Sequence, residues 1–202
     1  MGAPEPLTVL PLSSAVPAER GDAARNRALL LDAARRLIAE RGADAVSMDD
    51  VAAAAGVGKG TLFRRFGSRS GLMIVLLDED EIAEQQAFMF GPPPLGPGAP
   101  PLERLQAYGH SRLRFVHTHQ ALLSDAARDP HTRYNSPATL HRSHIRMLLE
   151  SAGTTGDLDA QTDALVALLD ADRVAHEMTD RGKSLEKLAA GWDDVARKLC
   201  GT

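Results

Sequence analysis

The sequence predicts an all-α protein: an N-terminal three-helix helix-turn-helix head followed by a longer helical body. Three observations carry this. Apolar residues recur at helical spacing from about Arg25 onward, and no stretch shows the alternation of a half-buried strand. Basic residues also concentrate in one module. Residues 20–70 hold ten Lys or Arg against six Asp or Glu, and residues 71–202 hold thirteen against nineteen, in a chain of formal net charge −4. A basic head on an acidic body points to a polyanion partner for the first and a separate task for the second.

The elements follow in order. Residues 1–21 contain four prolines and mostly small residues and predict a disordered arm. "RNRALLLDAARRLIAERG" places Leu30, Ala34, Leu37 and Ile38 on one helical face, with Gly42 as its stop. "SMDD" predicts a capping box, Ser47 to Asp50, opening the helix "MDDVAAAA", which ends at Gly56. A second short helix runs from about Gly58 to Phe66. Ser68 then caps a long helix to about Phe90, with Leu72, Val75, Leu76, Ile82 and Ala83 as its stripe. "GPPPLGPGAPP" breaks the chain from Gly91. Further helices are expected over 102–119, 120–128, 136–152, 157–181 and 184–199. Leu185, Leu188, Trp192, Val195 and Leu199 form the buried face of the last. The division is an arm over 1–21, a head over 22–70 and a body over 71–202.

Several function classes are excluded. No apolar run reaches the roughly 18 residues of a membrane span. The N-terminus lacks a basic region ahead of its apolar residues, as a secretory signal requires. The single Cys200 offers no internal disulfide and fits a reducing cytoplasm. "GVGKGT" resembles a phosphate loop only superficially. Aligned on Gly58-Lys59, its first glycine falls on Ala53 and its Ser/Thr on Gly60, and no strand precedes it. A dinucleotide fingerprint fails at Thr61. No nucleophile elbow or paired catalytic carboxylates stand out, so no enzyme is expected. His141 and His144 share a helical face and His117 and His119 are close in sequence, but no third ligand converges by spacing. No metal and no cofactor are expected.

The basic segment itself is specific. From Val51 to Leu77 there is no Asp or Glu, while Lys59, Arg64, Arg65 and Arg69 fall close together. Two short helices joined by a Gly-containing turn suit a helix-turn-helix, whose second helix offers its N-terminal residues to the major groove of DNA. "VSMDDVAAAAGVGKGTLFRRFGSRSGLM" resembles the DNA-binding domain of the tetracycline-repressor (TetR) family at nearly every motif position between Arg25 and Ile82. The resemblance implies DNA-contacting roles for Ser47, Lys59, Gly60, Thr61, Phe63, Arg64, Arg65 and Arg69, with Arg25 and Arg27 as further phosphate contacts. Phe63 stands for the family's usual Tyr and lacks its hydroxyl, Arg65 stands for its His, and Gly71 for a common Glu.

For the body, the resemblance implies a homodimer on a palindromic double-stranded DNA operator, joined through the last two helices at Leu165, Leu169, Leu188, Trp192 and Val195. The same residues can equally be intramolecular core. An effector pocket is expected between the long fourth helix and those after the proline loop, at Phe88, Tyr108, Phe115, His144 and Met147, taking a small apolar or aromatic ligand. The expected function is a cytoplasmic, ligand-released transcriptional repressor. A small-molecule-binding or hydrolytic helical protein with an incidental basic head is the alternative.

Overall fold

A computed structural model describes residues 21–42, 45–127 and 136–201. The proposed N-terminal arm lies outside them, apart from Gly21. Among the described residues the chain is helical: α1 (Gly21–Arg41), α2 (Met48–Ala55), α3 (Lys59–Phe66), α4 (Arg69–Phe90), α5 (Pro101–Ala127), α6 (Ser136–Ser151), α7 (Leu158–Leu168), α8 (Ala171–Thr179) and α9 (Leu185–Leu199). The described residues up to Asp80 form one compact unit and those from Glu81 a second.

Local chemistry sets the helix ends in the first unit. Ser47 caps α2 by accepting from the Asp50 amide, and Asp50 reaches back to the Ser47 amide, completing the expected box. Gly56 ends α2 at φ 65°, a left-handed conformation that glycine adopts without strain. Ser68 Oγ accepts from the Gly71 amide at 3.1 Å at the start of α4. A Cβ on Gly71 would collide with the Phe66 carbonyl, so this tight turn favours glycine. Leu30, Ala34 and Leu37 of α1 are buried with Val51, Leu62, Phe66, Leu72 and Leu76. Two arginines clamp α1 to α4. Arg27 donates to Glu79 at 2.5 Å, and Arg35 donates to Glu79 at 3.0 Å and to Asp80 at 2.9 Å.

In the second unit α5 is the central element, packed against α6, α8 and α9. Trp192 on α9 is buried, and its indole N–H donates to the Leu105 carbonyl of α5 at 2.9 Å. Gly109, one turn on, leaves room for that indole.

The boundary expected between helices 102–119 and 120–128 is present: α5 loses helical geometry at His119 (φ −108°, ψ 15°) and kinks there. Two expectations need correction here. The single helix expected over 157–181 is two. Leu169 leaves helical geometry, Asp170 caps α8 by accepting from the Arg173 amide, and the Arg173 side chain donates to the Leu168 carbonyl at 2.8 Å. Ala83 in the expected α4 stripe is exposed, while Glu81, Glu84, Gln85, Phe88 and Met89 are buried. Polar partners from α5 and α6 make that burial tolerable.

Replacing Gly109 with Ala would drive a methyl into the Trp192 ring. The expected cost is about 1–3 kcal/mol for an overpacked core. Denaturant unfolding followed by the fluorescence of the only tryptophan checks it.

Candidate nucleic-acid interface and effector cleft

The outward face of α3 follows from its sequence. Leu62 and Phe66 turn inward and are buried, which leaves Lys59, Gly60, Phe63 and Arg64 exposed and Thr61 and Arg65 half-buried. Gly58 occupies the N-cap with no side-chain cap hydrogen bond. The start of α3 is therefore open to an incoming anion. Lys59 pairs with exposed Asp49 at 2.7 Å, and its ammonium lies 5.9 Å from the Phe63 ring centroid. Phe63 is 40% exposed, a flat apolar surface beside two cations.

The other expected DNA contacts divide. Arg25 and Ser47 are exposed. Arg27 is spent on Glu79, with only 25% of its side chain exposed, and so serves the α1–α4 clamp. Arg69 is half-buried and its Nε donates to the Val46 carbonyl at 3.0 Å, tying the start of α4 to the segment before α2. Both were expected to meet phosphates, and each has an acceptor within the chain that the positional match did not reveal.

Comparison with known proteins agrees with this geometry. Residues 30–76 match the profile of the family described as "Bacterial regulatory proteins, tetR family". Over residues 30–76 the chain is thus similar to the DNA-binding regulators of the tetR family. Solved structures extend the likeness over the body. A protein described as a transcriptional regulator from Saccharomonospora viridis, in complex with choline, is 23% identical, with 85% of this chain and 95% of that one covered, at TM-score 0.65. A TetR-like regulator from Rhodococcus sp. RHA1 is 26% identical, with 92% and 100% covered, at TM-score 0.56. A TetR-family regulator from Pectobacterium atrosepticum is 22% identical, with 90% and 97% covered, at TM-score 0.65. A search of curated proteins finds no match.

In the body, the residues expected to line an effector pocket mostly fill the core. Phe88 and His144 are buried in tilted ring contact, with centroids 4.4 Å apart, and Phe115 is buried under Arg112. Met147 packs against the core cluster. A cleft of about 760 Å³ lies instead between α5, α6 and α7. Of the expected residues only Tyr108 lines it, with apolar Ile145, Val166 and Leu169 and polar Arg112, His141 and Asp170. Its polar floor is a network. The Tyr108 hydroxyl is 2.7 Å from His141 Nδ1, and His141 Nε2 is 2.5 Å from Glu81 Oε1. Arg112 donates to Glu81 at 2.7 Å and to Glu84 at 2.6 Å.

Burial opposes charge throughout this floor. For Glu81 it would raise the carboxyl pKa, but Arg112 and His141 overcome it and hold the pKa well below the usual carboxylate range. For Arg112 burial is again outweighed, by Glu84 and Glu81, and its pKa is raised. Burial pushes the Tyr108 hydroxyl up. Sequence spacing pairs His141 with His144, whereas the structure sets His141 against Glu81 and leaves both His144 nitrogens buried without a partner among the described residues. The available signal was two glutamates three residues apart in an apolar helix.

Four of the five residues expected at a dimer interface, Leu165, Leu169, Leu188 and Trp192, are buried within the chain's own core, the alternative reading of those stripes. Val195 alone keeps a partly exposed side chain.

His144 supplies a pH prediction. Burial, then Arg104 and His141, lower its pKa to about 3. The unfolded chain takes up this proton near pH 6.5, while the folded chain does so only near 3. Stability is thus fully present above about pH 6.5 and falls as the pH drops, by up to about 1.4 kcal/mol per unit. Urea unfolding at pH 7 to 5 should show this slope, and His144→Leu should flatten it.

Proposed function

We propose that the chain is a cytoplasmic homodimeric repressor, binding a palindromic operator in double-stranded DNA and released by a small effector in the α5–α6–α7 cleft. The observation that carries this reading is the α3 surface: an uncapped helix start at Gly58 with Lys59, Gly60, Phe63 and Arg64 exposed, in a segment without an acid from Val51 to Leu77. Two such helices about a two-fold axis read two half-sites one DNA turn apart. Phosphate binding falls to Arg25, Arg64 and Arg65, base reading to Lys59 and Thr61, and Phe63 packs on sugar-phosphate without donating to it. Partly exposed Val195, with exposed Val166 on α7, would belong to the subunit contact.

The effector reading rests on the cleft's apolar walls and polar floor, which suit a small apolar or aromatic ligand with one polar end. The choline bound by the Saccharomonospora regulator shows one such protein holding a small molecule. By analogy with the family, ligand binding biases α4 and with it the separation of the two recognition helices. The coupling required is about 1–3 kcal/mol. No observation favours the hydrolytic alternative.

Footprinting on DNA flanking the chain's own gene, across a salt series, tests the proposal, and absence of salt-sensitive binding to any palindrome would sink it. Arg64→Ala should weaken binding uniformly across sequences and lower the salt slope by about 1. Lys59→Ala should change which bases are preferred. Sedimentation of the free chain checks the dimer.

A further inference from the structure

The second half of α4 buries two carboxylates, Glu81 and Glu84, which are 0% and 8% exposed. Their partners use three of the four oxygens. Arg112 Nη1 donates to Oε2 of both, and His141 Nε2 and the Gln85 amide meet Glu81 Oε1. The fourth oxygen, Glu84 Oε1, is buried with no hydrogen-bond partner among the described residues. A buried carboxylate oxygen left unpaired is costly and calls for a donor or a cation. A proton on His141 would balance the charge of two carboxylates against one guanidinium. It would not reach the orphaned oxygen, because the ring's Nδ1 already meets the Tyr108 hydroxyl and Nε2 meets Glu81.

One ligand atom from each of Glu81, Glu84 and His141 lies within 4.8 Å of the others. We propose that these three residues form a site for a divalent first-row transition metal of the zinc class. One imidazole and two carboxylates are a borderline N/O set that suits such an ion, with a position left open for water or ligand. Calcium and magnesium would want more oxygens. The surroundings supply the supporting contacts that such sites need. With Nε2 on the metal, His141 Nδ1–H donates to the Tyr108 oxygen, and Arg112 holds the outer oxygen of each carboxylate. His141 and Arg112 line the α5–α6–α7 cleft, which gives the ion a way in. The site stands apart from the DNA-binding reading, and only its influence on DNA affinity depends on that reading.

The test uses the untagged full chain stripped with chelator. Calorimetry with Zn²⁺ should show one equivalent bound, and Co²⁺ should give visible bands of a low-symmetry site. A hundredfold excess of Zn²⁺ over Kd should raise the unfolding midpoint by about 5–10 °C. Glu84→Gln, which keeps the side-chain shape, should lose at least tenfold in affinity, and Tyr108→Phe about tenfold through the freed imidazole. Cys200→Ser and the His117→Gln/His119→Gln pair should bind as before. No binding by the wild-type chain overturns the site, whatever the variants do. So does binding that survives Glu84→Gln and vanishes with the histidine pair. Metal binding lost in Glu84→Gln, with DNA affinity unmoved by metal, upholds the site and removes only its coupling to DNA.

Discussion

One buried guanidinium organises the body of this protein. Arg112, on α5, donates to two carboxylates of α4 and lies 4.5 Å from the Phe115 ring centroid. Glu81 in turn takes His141 of α6, whose other nitrogen meets Tyr108 of α5. Three helices are thus joined by a polar network where an apolar seam would ordinarily run. Such a network is unforgiving, since removing one partner leaves a buried charge and costs about 3–5 kcal/mol. What it supplies is placement: the same residues form the floor of the cleft, so any ligand there meets groups already bonded to α4.

The head solves the opposite problem, keeping cations outward while holding one long and two short helices together. It does so by dividing its arginines. Arg27 and Arg35 are committed to Glu79 and Asp80, and Arg69 to the Val46 carbonyl. Arg25 and Arg64 stay exposed, and Lys59 pairs with the solvent-exposed Asp49. An exposed pair of this kind is worth little. A phosphate can therefore replace Asp49 at small cost, while the clamp stays closed.

Much of this was legible in the sequence because it depends on neighbours along the chain. The Ser47–Asp50 box, the stop at Gly56, the cap at Ser68 and the break at Gly91 are all decided within a few residues, and the structure places each where the pattern did. The face of α3 is equally local, since inward Leu62 and Phe66 oblige Lys59, Phe63 and Arg64 to point out. The break between α7 and α8 was missed for an equally local reason. An aspartate inside an apolar run reads as a helix residue until its side chain is seen capping α8.

What the sequence by itself determined is the all-α class, the ends of the head's helices and the outward face of α3, because helical periodicity and capping are short-range physics. Only the tertiary structure decided which polar residues are buried, that Leu188 and Trp192 belong to the chain's own core, and that Arg27 is a clamp. It also decided that Glu81 and Glu84 meet a histidine 60 and 57 positions away in sequence. Those outcomes depend on which side chain arrives from another helix, and no local pattern contains that information.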